Sequence, residues 1–190
     1  GTWVRLVSNE THRLTRSMSS LVNGVFGTSI YTEREGPLVE IRCPTNAFKL
    51  YDVLQDMDSY LLLVDRRRHN APLRELLNTL CRRGVSVHVH GTDSHEATDE
   101  AVKCATYWSA KGLQFSTVVV LLPGCAPPNP TYVALTRSNQ RLVVVLDPKD
   151  PHAAVCRHVA AHPSHFSVVG SSARAAVQRG CGLDAARSLL

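Results

Sequence analysis

The stretch A-V-K-C-A-T-Y-W-S-A-K-G-L-Q-F-S-T-V-V-V-L-L-P, residues 101–123, passes through a short proline-rich link into T-Y-V-A-L-T-R-S-N-Q-R-L-V-V-V-L-D-P, residues 131–148. A β-rich run ends at Thr106, and a polar turn containing Gly112 comes after it. The segment from Thr117 to Leu122 is wholly apolar, as is the segment from Leu142 to Leu146. Apolar runs of this length without alternation belong to strands covered on both faces, which is the condition of a parallel sheet. A short helical segment carrying Arg137 is expected between the two strands. Functional groups of such sheets gather at the carboxyl ends of strands, and the Ser109–Gln114 turn is expected there.

Working outward, 190 residues can bury one sizeable core with a small appendage. The composition is that of a folded globular chain, and the net charge of +5 suits a polyanionic partner. Six cysteines lie scattered, several within apolar runs, which favours buried free thiols over disulfides. No run approaches the length of a membrane span and no segment has a leader pattern, so an intracellular location, cytoplasm or nucleus, is expected. The abrupt start at Gly1-Thr2-Trp3 suggests part of a longer polypeptide.

Toward the amino terminus, Trp3–Val7 reads as a strand. Leu14, Met18, Leu21, Val22 and Val25 recur at helical spacing, with Asn23-Gly24 and Gly27 weakening or ending the helix. Leu38–Ile41 reads as a strand, Thr45–Met57 as a helix and Tyr60–Val64 as a buried strand. A basic turn, Asp65–His69, leads to a helix over Pro72–Arg83 with Gly84 as its stop, and Val85–His90 alternates as a strand does. Gly91–Glu100 is polar and acidic. Beyond Pro148 a helix is expected up to Pro163, and Ser171–Leu190, rich in Ala and Arg, reads as a marginal helix or connector. The division is therefore 1–150 as the main domain and 151–190 as a helical extension or connector.

The central stretch resembles two motifs of superfamily 1 helicases of the UvrD/Rep type. T-Y-W-S-A-K-G-L-Q-F-S-T-V-V-V is similar to their motif V, T-x-H-S-A-K-G-L-E-F-x-x-V, and Y-V-A-L-T-R-S-N-Q-R-L to their motif VI, Y-V-A-L-T-R-A-x-x-x-L. T-H-R with a helix after it ending near Asn23 is similar to motif IV and makes Arg13 the counterpart of its arginine. The resemblance implies an α/β fold, a RecA-like and mostly parallel sheet flanked by helices, of the kind forming the second motor domain of such helicases.

It also implies roles. Triphosphate hydrolysis is mainly positioning and charge stabilisation, and guanidinium, always charged and forked, suits phosphate oxygens. Arg13 and Arg137 are the implied catalytic residues, with Gly112, Gln114 and Arg137 on the nucleotide side. Gln114 stands where the family has an acid for the ribose, and Trp108 where it has a His. Thr106, Trp108, Ser109 and Lys111 would face single-stranded DNA or RNA. Arg66 and Arg67, in the basic turn, are candidate phosphate contacts. No G-x-x-x-x-G-K-[ST] occurs in the 190 residues and no apolar strand ends in paired acids. ATP with Mg²⁺ would then be held mainly by an amino-terminal P-loop domain of the same polypeptide, and the chain alone should be inactive.

Read without the resemblance, Arg13 is a solvated residue of a first helical turn, Arg137 a structural ion-pair partner, and Trp108 a core residue. His88 and His90 share one face of a strand, and Cys156, His158, His162 and His165 have spacing open to a helical metal site, but neither set matches a familiar zinc signature and no metal is expected. Two alternatives stand beside the motor domain: a catalytically inactive helicase-like binding or scaffolding module of a larger, even viral, polypeptide, and an unrelated α/β nucleotide-binding domain.

Overall fold

The structure, a computed structural model, describes residues 10–55, 60–64, 78–90 and 102–187. The expected strand at Trp3–Val7, the basic turn with Arg66 and Arg67, and the acidic stretch at Gly91–Glu100 lie outside them. In chain order the elements are α1 (Arg16–Phe26), β1 (Val39–Arg42), α2 (Ala47–Gln55), β2 (Leu61–Val64), β3 (Val87–Val89), β4 (Val102–Thr106), β5 (Phe115–Leu122), α3 (Pro128–Leu135), β6 (Ser138–Leu146), α4 (Ala153–Ala161), β7 (Phe166–Val168) and α5 (Ser171–Arg187). Residues 78–82 are also helical, and the chain turns out of them at Gly84.

The strands form one sheet in the order β3-β4-β2-β5-β6-β1-β7, and every neighbouring pair is parallel. The fold is α/β and RecA-like, a parallel sheet between helical layers. The absence of alternation in the central strands now has its cause. Val118, Val120 and Leu122 enter one core with Leu142, Val144 and Leu146, while Val119 and Leu121 enter the opposite core with Val143 and Val145. The first core is completed by α1, α3, α4 and α5, the second by α2 and Leu80. Both faces are dry, so each position of these strands must be apolar.

Local signals explain the helix ends. Thr15 caps α1 by accepting the Met18 N–H, and Gly27 ends it in the left-handed region (φ 65°) with its N–H on Asn23 O. The helix thus runs through Asn23-Gly24 to Phe26, past the expected weakening. Asn23 is used otherwise: its amide bonds to Ile30 O, while its oxygen accepts from Thr28 and from the Ile30 N–H. Pro127 and Pro128 start α3. Arg137 lies past the end of α3, in the bend before β6, rather than on the helix.

The segment expected as a helical extension is helical at α4 and α5, and it also supplies β7, which pairs with β1 at the sheet edge. Ala173, Ala176 and Val177 of α5 and Val155, Cys156 and Val159 of α4 join the first core. Among the described residues no helix is long and apolar enough to cross a membrane. All six cysteines are free thiols, and burial pushes the Cys156 thiol up to about 12.

The α1–α4 contact yields a test. A methyl group at Gly24 would overlap the His158 imidazole of α4. Alanine improves helix propensity by about 1 kcal/mol, but overpacking a close contact costs about 1–3 kcal/mol. Gly24→Ala is therefore expected to lower the urea midpoint, and a raised midpoint would show that the helices do not meet at this position.

Candidate functional site

Thr106 ends β4, and its side chain shapes the turn after it. The Thr106 N–H donates to Ser109 Oγ at 2.9 Å, the Ser109 N–H donates to Thr106 Oγ1 at 3.1 Å, and the two hydroxyls are 2.9 Å apart. This reciprocal pair closes a tight turn of the kind Ser and Thr favour. It also occupies the two hydroxyls expected to face nucleic acid. The turn sorts two adjacent aromatics. Tyr107 is fully buried, with its N–H on Val64 O and its hydroxyl donating to Leu121 O. Trp108 points outward and is 62% exposed. The core assignment for Trp108 is thereby overturned, because the core position beside it is filled by Tyr107.

From there the chain does not stay at the carboxyl end of the sheet. Thr106 and Leu121 lie level across β2, whereas Phe115, where β5 begins, lies six residues earlier on that strand. Residues 107–114 must return along the face of the sheet, and buried Ala110 lies in that path. Gly112, at φ 91°, makes the left-handed bend that a side chain would strain. Lys111, Gly112 and Gln114 are exposed. The expected placing of Ser109–Gln114 at strand carboxyl ends is corrected accordingly: the turn starts there, and Gly112–Gln114 reaches the amino-terminal ends of β5 and β6.

Arg137 is there to meet it. The Phe115 N–H donates to Arg137 O at 3.2 Å, and the guanidinium lies over backbone. Nε donates to Val133 O at 2.9 Å, Nη2 to Thr136 Oγ1 at 3.0 Å and Nη1 to Leu113 O at 3.5 Å. Arg13 arrives from the lead-in to α1. Its N–H donates to Thr11 Oγ1 and its carbonyl accepts from Arg34 Nη1 at 2.8 Å. Among the described residues, the buried Nε of Arg13 has no hydrogen-bond partner.

The charge of Arg13 is felt at Arg137. Burial lowers the Arg137 pKa from its ordinary value, and the charge of Arg13 lowers it further, with Tyr132 acting the other way. Among the described residues neither Arg13 nor Arg137 pairs with a carboxylate. The ionic pairs lie elsewhere, notably Glu40 shared by Arg42 and Arg141 at 2.9 and 2.6 Å. A half-buried guanidinium with an unsatisfied buried donor is costly unless an acceptor reaches it. The arrangement favours an oxyanion able to take several N–H donors, as a phosphate does.

Two contributors carry no mark in the sequence patterns. Arg34 supports the Arg13 carbonyl from the 27–38 loop, and Lys103 places its Nζ 5.7 Å from the centroid of the Phe115 ring. Among the described residues no group of three or more His, Cys, Asp and Glu side chains is arranged to hold a metal ion.

No family model matches the sequence, and no curated protein matches it. Among solved structures the chain is similar to the C-terminal domain of a possible DNA helicase from Lactobacillus plantarum, with a TM-score of 0.64 and 17% identity, covering 83% of this chain and 98% of that one. It is also similar to the arterivirus nonstructural protein 10 helicase, with a TM-score of 0.43 and 15% identity, covering 77% of this chain and 26% of that one. At 17% identity the first likeness shows that the two chains share a fold.

The two aromatics of the turn should respond differently to substitution. Tyr107→Phe leaves the Leu121 carbonyl short of a partner and is expected to cost about 1–3 kcal/mol of stability. Trp108→Ala is expected to stay within about 0.5 kcal/mol of the parent, as exposed substitutions do. Denaturant titration of the two variants checks both.

Proposed function

We propose that the chain is the carboxy-terminal motor domain of an ATP-dependent superfamily 1 helicase or translocase acting on single-stranded DNA or RNA. The observation that carries this reading is the buried Nε of Arg13, a donor with no acceptor among the described residues, on a guanidinium whose charge is felt at half-buried Arg137, neither of the two being paired with a carboxylate there. The shared fold with a helicase C-terminal domain is consistent with it.

On this reading the residues present fit a nucleoside triphosphate. The buried Nε of Arg13 is a donor lacking an acceptor, and the Arg137 fork rests on neutral oxygens that an anion would outcompete. Arg13 and Arg137 hold the γ-phosphate end, and Gly112 brings bare backbone close to the nucleotide. Gln114 offers an uncharged donor and acceptor to the ribose. The nucleotide and its Mg²⁺ supply the phosphoanhydride and most of the charge neutralisation, held mainly by an amino-terminal P-loop domain of the same polypeptide. The two arginines stabilise the charge that develops on the transferring phosphoryl group. Trp108 presents a ring for base stacking and Lys111 a charge for the backbone, while Thr106 and Ser109 shape the turn that aims them. Such contacts read charge and stacking, and they suit a nucleic-acid partner of either sugar.

A catalytically inactive binding module is the second reading, and one observation favours it: an uncharged Gln114 at the exposed end of the glycine turn. Arg137→Ala in the polypeptide that carries the P-loop domain separates the two. Hydrolysis is expected to fall by about 10³-fold with single-strand binding retained. Unchanged turnover would remove Arg137 from the reaction, and no turnover in the parent would favour the binding module. Trp108→Ala should weaken single-strand affinity by about 1–3 kcal/mol in a salt-matched titration.

A further inference from the structure

We propose that α4 is held against α1 by uncharged histidines, so that protonating them loosens this joint. The contact with α1 is made by His158, supported by His165, while His152 caps α4 itself. His152 is the N-cap of α4, where its Nδ1 accepts the Val155 N–H at 3.4 Å. A protonated imidazole has no lone pair to offer at that position.

Further along the helix, His158 lies on the backbone of α1 where Gly24 leaves room for it. Its Nε2 is 3.0 Å from Ser20 Oγ, and the same hydroxyl is 2.8 Å from His165 Nδ1. One hydroxyl has one proton to give, so it donates to one ring and accepts from the other. If both rings carry two protons, the hydroxyl hydrogen has no acceptor and two positive charges face a single oxygen. His162 adds a third ring, its centroid 4.3 Å from His158 and 6.2 Å from His165.

The surroundings do not offset that charge. On α4 and at its C-cap the neighbours are Arg157 and His162; α1 presents Ser20 and Gly24, the turn before β7 presents His165, and β7 itself Phe166. The charged residues described on α5 are Arg174 and Arg179. Asp150, ahead of the helix, acts on His152. Among the described residues no carboxylate pairs with His158, His162 or His165. Burial lowers the pKa of His152, opposed by its own backbone hydrogen bond and by Asp150, with Arg157 lowering it further. Burial also lowers that of His158, and His162 and His165 add to the shift against a hydrogen bond at Ser20.

Because these groups bind protons less readily in the folded chain, the unfolded chain takes up more of them as the pH falls below about 6.5. The stabilisation is complete above that pH and is lost as the solution is acidified through the depressed folded values. The same helix is entered from Arg13, two residues before its N-cap Thr15.

The test uses the whole chain and a double variant, His152→Asn with His158→Gln, which keeps a side-chain acceptor at the cap and a hydrogen-bonding group at Ser20 without a titrating proton. Between about pH 7.5 and 5.5, above the range of ordinary carboxylates, the parent's urea midpoint should fall and that of the variant should fall by less than half as much. Equal falls would overturn the proposal. Imidazole resonances followed by NMR provide a second measurement that needs no variant. His152 and His158 should titrate below the values found for the same chain in denaturant, and values at or above those would equally overturn it.

Discussion

The parallel ladder between β5 and β6 constrains everything that could act in this molecule. It runs from Phe115 opposite Ser138 to Leu122 opposite Leu146, and both strands are buried on both faces along their apolar runs. A slip of one residue would exchange the two cores, sending Val119 and Leu121 where Val118, Val120 and Leu122 now pack. The irregularity between Phe115 and Thr117 is where the ladder takes up its mismatch, and the buried Ser138 hydroxyl there bonds to Ser116 O or to Arg141 O. That register fixes the Phe115 N–H on Arg137 O. The arginine and the end of the glycine turn are therefore brought together by the same strand pairing that holds the sheet.

Arg13 is positioned by a different device. Met18, Leu21 and Val22 anchor α1 in the first core, and the loop from Thr28 to Gly36 wraps back along its lead-in. Thr32 donates to Leu14 O at 3.0 Å, Arg34 to Arg13 O at 2.8 Å, and the Arg16 N–H to Arg34 O at 2.9 Å. Backbone bonds of this kind hold the main chain of Arg13 without neutralising its side chain. A guanidinium left without a counter-charge needs a rigid frame, because a flexible arginine would relax toward solvent. The frame here is two helices and a ladder, each buried.

Much of this was legible in the sequence and some was not, for identifiable reasons. The central strands announced themselves because dry faces on both sides demand continuous apolar residues. The first part of β6 did not, since Ser138–Arg141 is polar, although Ser138 and Arg141 pair with β5 as the later residues do. The choice between Tyr107 and Trp108 for the core was open from composition, yet the Thr106 and Ser109 spacing held the signal, because that hydroxyl pair sets the phase of the turn. The return of residues 107–114 along the sheet depends on β2 lying between β4 and β5, a long-range fact with no local trace. Arg34 was equally hidden, 21 residues from the carbonyl it supports. In α5, Gly180 looks like weak helix material, but with Ala173 and Ala176 it lets α5 pack closely on α4, Gly180 lying against Cys156.

The glutamine at position 114 bears on the proposed motor in a way that charge alone would not suggest. Leu113, its neighbour, already lends a carbonyl to Arg137 Nη1. A carboxylate at 114 would compete for that guanidinium, drawing it toward the turn and neutralising one of the two charges that the proposed role requires. A glutamine leaves Arg137 resting on weak, neutral acceptors, from which a phosphate can take it at little cost. On the proposed reading, an uncharged side chain at 114 and an arginine left on neutral acceptors are one electrostatic arrangement. The sugar contact would be a neutral one, the field at the phosphates would stay undiminished, and the exposed Trp108 would offer a larger stacking area than an imidazole.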